Sequence, residues 1–283
     1  MPQQLFPPIQ YEVLLQIFGM CRLLGYVGPP ISLDYLLYKP EHSLIVQSYQ
    51  PREMNSGVVN ADGFGVGWYH PQKDTNPFTY KNLLPIWNDI NLTSLSRYVE
   101  SGCVLGYVRS ATVGQAVDLS NCQPFEYDHL LFIHNGLIEN FRQTLLRPIC
   151  DRLDDIAYQL IKGNTDSEHL FALVVNELQA NPAATLEQVL QTTLLTLEEL
   201  AQSYQVKVSA NMILSDGHRL IASRFATSTE SPSLYWLRDD PAFPEAVIIA
   251  SEPLFEGNWH RFPEQSILSV GEDLEIQINQ IRL

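Results

Sequence analysis

Positive charge is scarce in this chain. Seventeen Lys and Arg stand against 32 Asp and Glu, a formal net charge of −15 over 283 residues. A surface of that sign repels phosphate backbones and anionic lipid, which argues against nucleic acid and membrane surfaces as partners. Long apolar runs are missing as well, and none approaches the roughly 20 residues a spanning helix requires. Cysteine is sparse: the four, at positions 21, 103, 122 and 150, form no CxxC pair. A chain this long buries an ample core without disulfide staples, so reduced thiols in a cytoplasmic setting are expected. The seven histidines are scattered, with neither HxxxH nor HExxH spacing, so no metal and no cofactor is predicted. Glycines 63, 65 and 67 are spaced GxGxG rather than GxGxxG, and the strand-like Trp68-Tyr69-His70 follows instead of a helix. That spacing speaks against a dinucleotide loop and for close backbone packing.

What is present is an ordinary globular composition, 45% hydrophobic and 17% charged. The first twenty residues carry no Lys or Arg. Glu12 interrupts their apolar part, and Pro2, Pro7 and Pro8 oppose an opening helix. They read as a leader that is removed or as a mis-assigned start, with Met20-Cys21 a second start and 21–283 a single domain. From Cys21 an apolar strand runs to Gly28-Pro29-Pro30, after which Ser32 is placed to cap a helix that Pro40 ends. The stretches 103–110 and 129–136 have the pattern of buried central strands. Helices are predicted around 91–100, 139–161, 167–179 and 185–204, followed by strands with a hairpin at Asp216-Gly217. Strands, then helices, then strands again define an α+β layered fold with mainly antiparallel sheets.

Four segments carry chemistry. A thiol needs activation at neutral pH. Removal of Met20 would give Cys21 a free α-amine, with a pKa near 7.7–8.0, able to accept the thiol proton. The plain alternative is a small buried residue at a strand start. Asn135 and Gly136 follow an apolar strand, where a side-chain amide and the next backbone N–H can converge on one oxygen as an oxyanion hole. The alternative there is an ordinary Asn-Gly turn. His134 reads as an alternating strand residue rather than a ligand. Arg109 ends a buried run, so it must meet an anion, whether a ligand carboxylate or a structural acid. Thr165-x-x-Glu168 is a capping box, with Asp166 the first helical residue, where the helix dipole favours its charge. Locally, Asp166 is equally a simple first-turn acid.

Taken in order, MCRLLGY, DGFGVGWY, RSATVG, IHNGLIENF, NTDSEHL and ASEPL resemble the class II glutamine amidotransferases, and more narrowly their stand-alone, EgtC-like branch. The likeness covers nearly everything after Met20. It implies the N-terminal-nucleophile fold, a four-layer αββα sandwich, and cleavage of a γ-glutamyl amide through a γ-glutamyl thioester. It assigns Cys21 as nucleophile and base carrier, Asn135 and Gly136 as the oxyanion hole, and Arg109, Thr112 and Asp166 as holders of the glutamyl group. Family members that feed ammonia to a synthase carry a tryptophan and a histidine in the arginine motif. Ser110 and Val113 stand there instead, pointing to a γ-glutamyl amide larger than glutamine, with hydrolysis of γ-glutamyl hercynylcysteine sulfoxide in ergothioneine biosynthesis the favoured step. A glutaminase or amidotransferase subunit supplying ammonia to a separate partner is the second enzyme reading. The chemistry also leaves room for a homo-oligomer. If residues 1–20 are retained, the α-amine is tied up and a catalytically silent binding protein results. The role of Ser251-Glu252-Pro253 does not follow from its chemistry.

Overall fold

The computed structural model describes residues 21–53, 59–70, 72–111, 116–227 and 231–282. In chain order the first half runs β1 (Arg22–Ser32), α1 (Asp34–Leu37), α2 (Leu44–Tyr49), β2 (Phe64–His70), β3 (Asp74–Asn82), α3 (Ile90–Tyr98), β4 (Glu100–Val108), β5 (Phe125–Tyr127) and β6 (Leu130–Ile138). Four helices follow: α4 (Leu146–Cys150), α5 (Asp155–Leu160), α6 (Asp166–Ala180) and α7 (Leu186–Tyr204). The chain then returns to strands β7 (Val208–Ser215), β8 (Leu220–Ala226), β9 (Tyr235–Asp240), β10 (Phe243–Ala250), β11 (His260–Arg261), β12 (Ser266–Val270) and β13 (Ile276–Gln280).

The strands form two sheets, ordered β11-β9-β10-β1-β4-β2-β3 and β13-β12-β8-β7-β6-β5. Strand pairing is antiparallel throughout, from β1 with β4 to β12 with β13. Three apolar clusters define the layers. One packs α1, α2 and α3 on the first sheet through Leu36, Leu44, Leu92, Leu24 and Val104. A second packs the α4–α7 helices on the other sheet, around the stacked rings of Phe125, Phe132 and Phe171. The third, with Leu23, Leu105, Leu131, Ile133 and Ile213, fills the space between the sheets. This is the expected four-layer αββα sandwich. Among the described residues no helix is long and apolar enough to cross a membrane.

Several boundaries differ from the sequence reading, each for a local reason. β1 does not stop at Gly28-Pro29-Pro30 but continues to Ser32, with a register shift between Val27 and Ile31. Proline has no ladder donor, and an irregularity of this kind is where a strand tolerates it. Ser32 is not the N-cap of α1: Leu33 is, and the Ser32 hydroxyl bonds Asp34 Oδ1 at 2.6 Å. The predicted helix over 139–161 is two short helices. Pro148 is tolerated only in a first turn, so α4 begins at Leu146, and Asp154 caps a new helix by accepting from Ala157 N at 2.7 Å. The hairpin at Asp216-Gly217 forms between β7 and β8 as predicted.

Candidate active site

Strand periodicity assembles the site. Successive side chains alternate between the faces of a sheet, so residues two apart share one. On β1 the between-sheet residues are Leu23 and Val27, and Cys21, just before the strand, packs against the same cluster. On β4 they are Cys103, Leu105 and Tyr107. The same parity carries Arg109 toward the gap. On β6, Leu131 and Ile133 face inward, and Asn135 continues their row. Across the second sheet Asn135 pairs with Asn211, Asn211 with Arg224, and Arg224 with Ser266. One end of an otherwise apolar layer is therefore polar on both sheets.

Cys21 is half-buried and free, and its sulfur has close neighbours. Tyr107 Oη donates to Sγ at 2.9 Å and the Ser110 N–H donates at 3.4 Å, while Sγ lies 3.7 Å from the Ser110 carbonyl. Burial pushes the thiol pKa up. The Tyr107 hydroxyl, the Ser110 amide and the Arg109 and Arg22 guanidiniums pull it back only in part, so it stays above the ordinary thiol value. Such a thiol is mostly protonated at neutral pH and needs a base.

Asn135 is buried, and its Nδ2 has no hydrogen-bond partner among the described residues. A buried, unpaired donor costs free energy and so asks for an explanation. Asn135 and Gly136 do not sit at a strand end as predicted, since β6 continues to Ile138. Gly136 is required by close approach, not by an unusual φ: a Cβ there would collide with Ser209 O and press on His134 Nε2. His134 is the alternating strand residue the sequence implied. It points to the helix layer, where Nδ1 meets Ser167 Oγ at 2.8 Å.

Arg109 is buried directly after β4, with Nη1 3.4 Å from the Asp62 carbonyl and Nη2 3.1 Å from the Ala116 carbonyl. The Asp62 carboxylate turns to the Ala111 amide at 2.8 Å. Asp166 is the first residue of α6 and is buried. Its Oδ2 accepts from Ile138 N at 3.0 Å and its Oδ1 from Ser167 N at 2.9 Å, fixing the carboxylate against the end of β6. The capping box is only half made. Thr165 Oγ1 accepts from Glu168 N at 3.3 Å, but the Glu168 carboxylate turns away to the Lys162 and Gly163 amides, each at 2.7 Å. Thr112 lies outside the described residues.

Three side chains escaped the sequence reading: Tyr107, described above, and Ser251 and Glu252. Glu252, in the motif left without a role, is fully buried on the helix side of the first sheet. Its carboxylate meets Arg22 Nη2 at 3.0 Å and His42 Nε2 at 2.6 Å, and it accepts from the Arg52 and Glu53 amides at 2.8 and 3.1 Å. Burial alone would raise its pKa. The His42 bond, the Arg22 charge and the two amides outweigh burial and hold it below the usual carboxylate value. Arg22 in turn donates to the Cys21 carbonyl at 3.0 Å, so Glu252 braces the backbone of the thiol residue. Ser251 adds a second tie by accepting from Leu23 N at 2.9 Å. The GxGxG stretch does serve packing: a Cβ on Gly65 would collide with the Gln123 carbonyl, and one on Gly63 would meet Cys122 Sγ at 2.7 Å. A cavity of about 700 Å³ opens elsewhere, lined by Val27, Pro30, Tyr69, Arg238 and Asp273 among others, and none of Cys21, Tyr107, Arg109, Asn135 and Asp166 lines it.

A four-layer αββα sandwich with a thiol at the head of a central strand, between the sheets, defines the N-terminal-nucleophile class of fold. Within that class the chain belongs to the class-II glutamine amidotransferases, whose family model matches residues 20–246. It is 32% identical to a probable glutamine amidotransferase of Saccharomyces cerevisiae, over 89% of this chain and 82% of that one. It is 30% identical to a gamma-glutamyl-hercynylcysteine sulfoxide hydrolase of Mycobacterium tuberculosis, over 89% and 93%. A solved glutamine aminotransferase class-II domain protein from Silicibacter pomeroyi superposes with a TM-score of 0.67 at 25% identity, covering 93% of this chain and all of that one. The glutamine phosphoribosylpyrophosphate amidotransferase of B. subtilis shares the fold, with a TM-score of 0.63 at 16% identity, over 93% of this chain and half of that one.

Proposed function

We propose that the chain is a cysteine amidohydrolase that cleaves a γ-glutamyl amide, and that its reaction is removal of glutamate from γ-glutamyl hercynylcysteine sulfoxide in ergothioneine biosynthesis. Residues 1–20 are absent from the mature enzyme, and the free α-amine of Cys21 is the base. It takes the thiol proton as sulfur attacks the amide carbon, and the carbonyl electron pair moves onto oxygen. The Asn135 side-chain amide and the Gly136 N–H receive that oxyanion. The ammonium then protonates the departing amine as the C–N bond breaks, leaving a γ-glutamyl thioester. Water, deprotonated by the same amine, attacks the thioester; glutamate leaves and the thiol is restored. Arg109 and Thr112 hold the α-carboxylate end of the glutamyl group and Asp166 its α-ammonium. A cytoplasmic location, with four free thiols, suits this chemistry.

The observation that carries this reading is the buried Asn135 amide, without a partner among the described residues, in the same between-sheet layer as a half-buried thiol. The relatives named for hydrolysis of gamma-glutamyl-hercynylcysteine sulfoxide favour that substrate. The yeast relative, named a probable glutamine amidotransferase, favours a subunit that passes on ammonia. A panel of glutamine, glutathione and the sulfoxide conjugate, compared by kcat/KM, separates the two.

The decisive experiment joins mass and activity. Intact mass of protein from its own host is expected to give an N-terminus at Cys21, and Cys21→Ala is expected to abolish glutamate release. Turnover that survives Cys21→Ala, or full activity with residues 1–20 retained, overturns the proposal.

A further inference from the structure

Among the described residues the hydroxyl of Tyr107 has one hydrogen-bond partner, the sulfur of Cys21, at 2.9 Å. Its ring is 3% exposed and packs in the between-sheet cluster. Packing alone does not account for the oxygen. Phenylalanine would fill the same volume without burying a polar atom, and a buried hydroxyl is retained at a cost unless it is bonded. The register explains the reach. Tyr107 stands opposite Leu23, so Cys21 is its diagonal neighbour on the same face, within range of a long aromatic side chain.

We infer that Tyr107 is a catalytic residue of this site, whose hydroxyl stabilises the Cys21 sulfur as an anion when it attacks the amide and again when it leaves the thioester. This rests on the thiol chemistry proposed above. The phenol neither gains nor loses a proton. As sulfur bonds to carbon its charge is spent and the hydrogen bond weakens; when the C–S electron pair returns to sulfur, the O–H is in place to meet it. A bond from O–H to a sulfur anion is charge-assisted and stronger than one to a neutral thiol. The phenol is suited to the task because burial, and then the neighbouring sulfur, push its pKa well above the ordinary tyrosine value, so it remains a donor. The titratable and charged groups near the sulfur are, in the mature chain proposed above, the α-amine of Cys21 itself, with Arg22 on the opposite face of β1, Tyr107 and Arg109 from β4 and its end, and Cys122 from the segment before β5. Arg22 is committed to Glu252, and Tyr107 makes the shorter of the two hydrogen bonds donated to the sulfur.

The test uses the mature chain beginning at Cys21. Alkylation by iodoacetamide is followed against pH and read by peptide mass at Cys21, which separates it from Cys103, Cys122 and Cys150. For Tyr107→Phe, loss of a bond to a charged group is expected to raise the thiol pKa by about one unit, moving reactivity to higher pH. A less stabilised thiolate is also more nucleophilic, which offsets about half of the effect on attack but none of that on departure. Thus kcat/KM should fall about threefold and kcat about tenfold when thioester breakdown limits turnover. Replacing Tyr107 with 3-fluorotyrosine, a stronger donor that preserves the packing, should move the thiol pKa down. Superimposable alkylation profiles for Tyr107→Phe and the parent overturn the inference; if Tyr107→Phe does not fold, the fluorotyrosine profile decides in the same way. Activity surviving Cys21→Ala would sink the amidohydrolase reading instead, leaving the alkylation result to judge Tyr107 by itself.

Discussion

An amide nitrogen buried with nothing to bond is held in a folded protein at a loss, and among the described residues Asn135 Nδ2 is such an atom. If its purpose is to meet an oxyanion, stability and activity should separate at this position. Asn135→Ala removes an unpaired buried donor, so thermal stability should hold or rise slightly. Over the same change kcat should fall on the order of 10²–10³. Melting temperature and glutamate release measured on one preparation check both halves. A parallel loss of stability and rate would make Asn135 a structural residue. At this scale the sequence was a good guide where chemistry is local. Cys21, Asn135 and Arg109 lie toward the same between-sheet layer, and Asp166 is the first residue of its helix, as the Thr165-x-x-Glu168 pattern predicted. Tyr107 was hidden because, inside an apolar strand run, nothing separates a ring that packs from one whose oxygen touches a thiol.

Among the elements, β2 shows how a strand can be specified by what it must not carry. Gly65 faces the carbonyl of Gln123, and no side chain fits between them. Gly65→Ala must displace the segment 121–124 or the strand, at a cost of about 1–3 kcal/mol. Urea unfolding should show that loss, and because β2 pairs with β4 just ahead of Arg109, a rise in KM should accompany it. The central strands were legible from apolar runs and turn residues, and α6 from the capping pattern at its start. The boundaries that moved were those decided by tertiary contact. Glu168 abandons the capping box because two loop amides offer its carboxylate better partners. β1 runs on past two prolines because β4 continues to pair with it at Ile31 and Ser32.

For the molecule as a whole, Glu252 is a staple between distant parts of the chain. It joins the strand that begins beside Cys21, the segment before α2 and the loop at 52–53. Removing one partner of a buried ion pair strands the other, so Glu252→Ala should cost about 3–5 kcal/mol near neutral pH. The sign with pH follows from its lowered pKa. The stabilisation is complete above the unfolded carboxylate value near 4.3 and is lost as pH falls through the folded value. The difference between parent and variant in urea midpoint should therefore be largest around neutrality and shrink steadily below about pH 4. No sequence signal could have paired Glu252 with Arg22, because the pairing exists only once β10 lies beside β1.

The family match ends at residue 246, short of that carboxylate. An outline drawn by likeness to other chains is thus narrower than the outline drawn by charge. A fragment excised at that edge keeps the nucleophile yet discards the carboxylate that backs the guanidinium gripping its carbonyl.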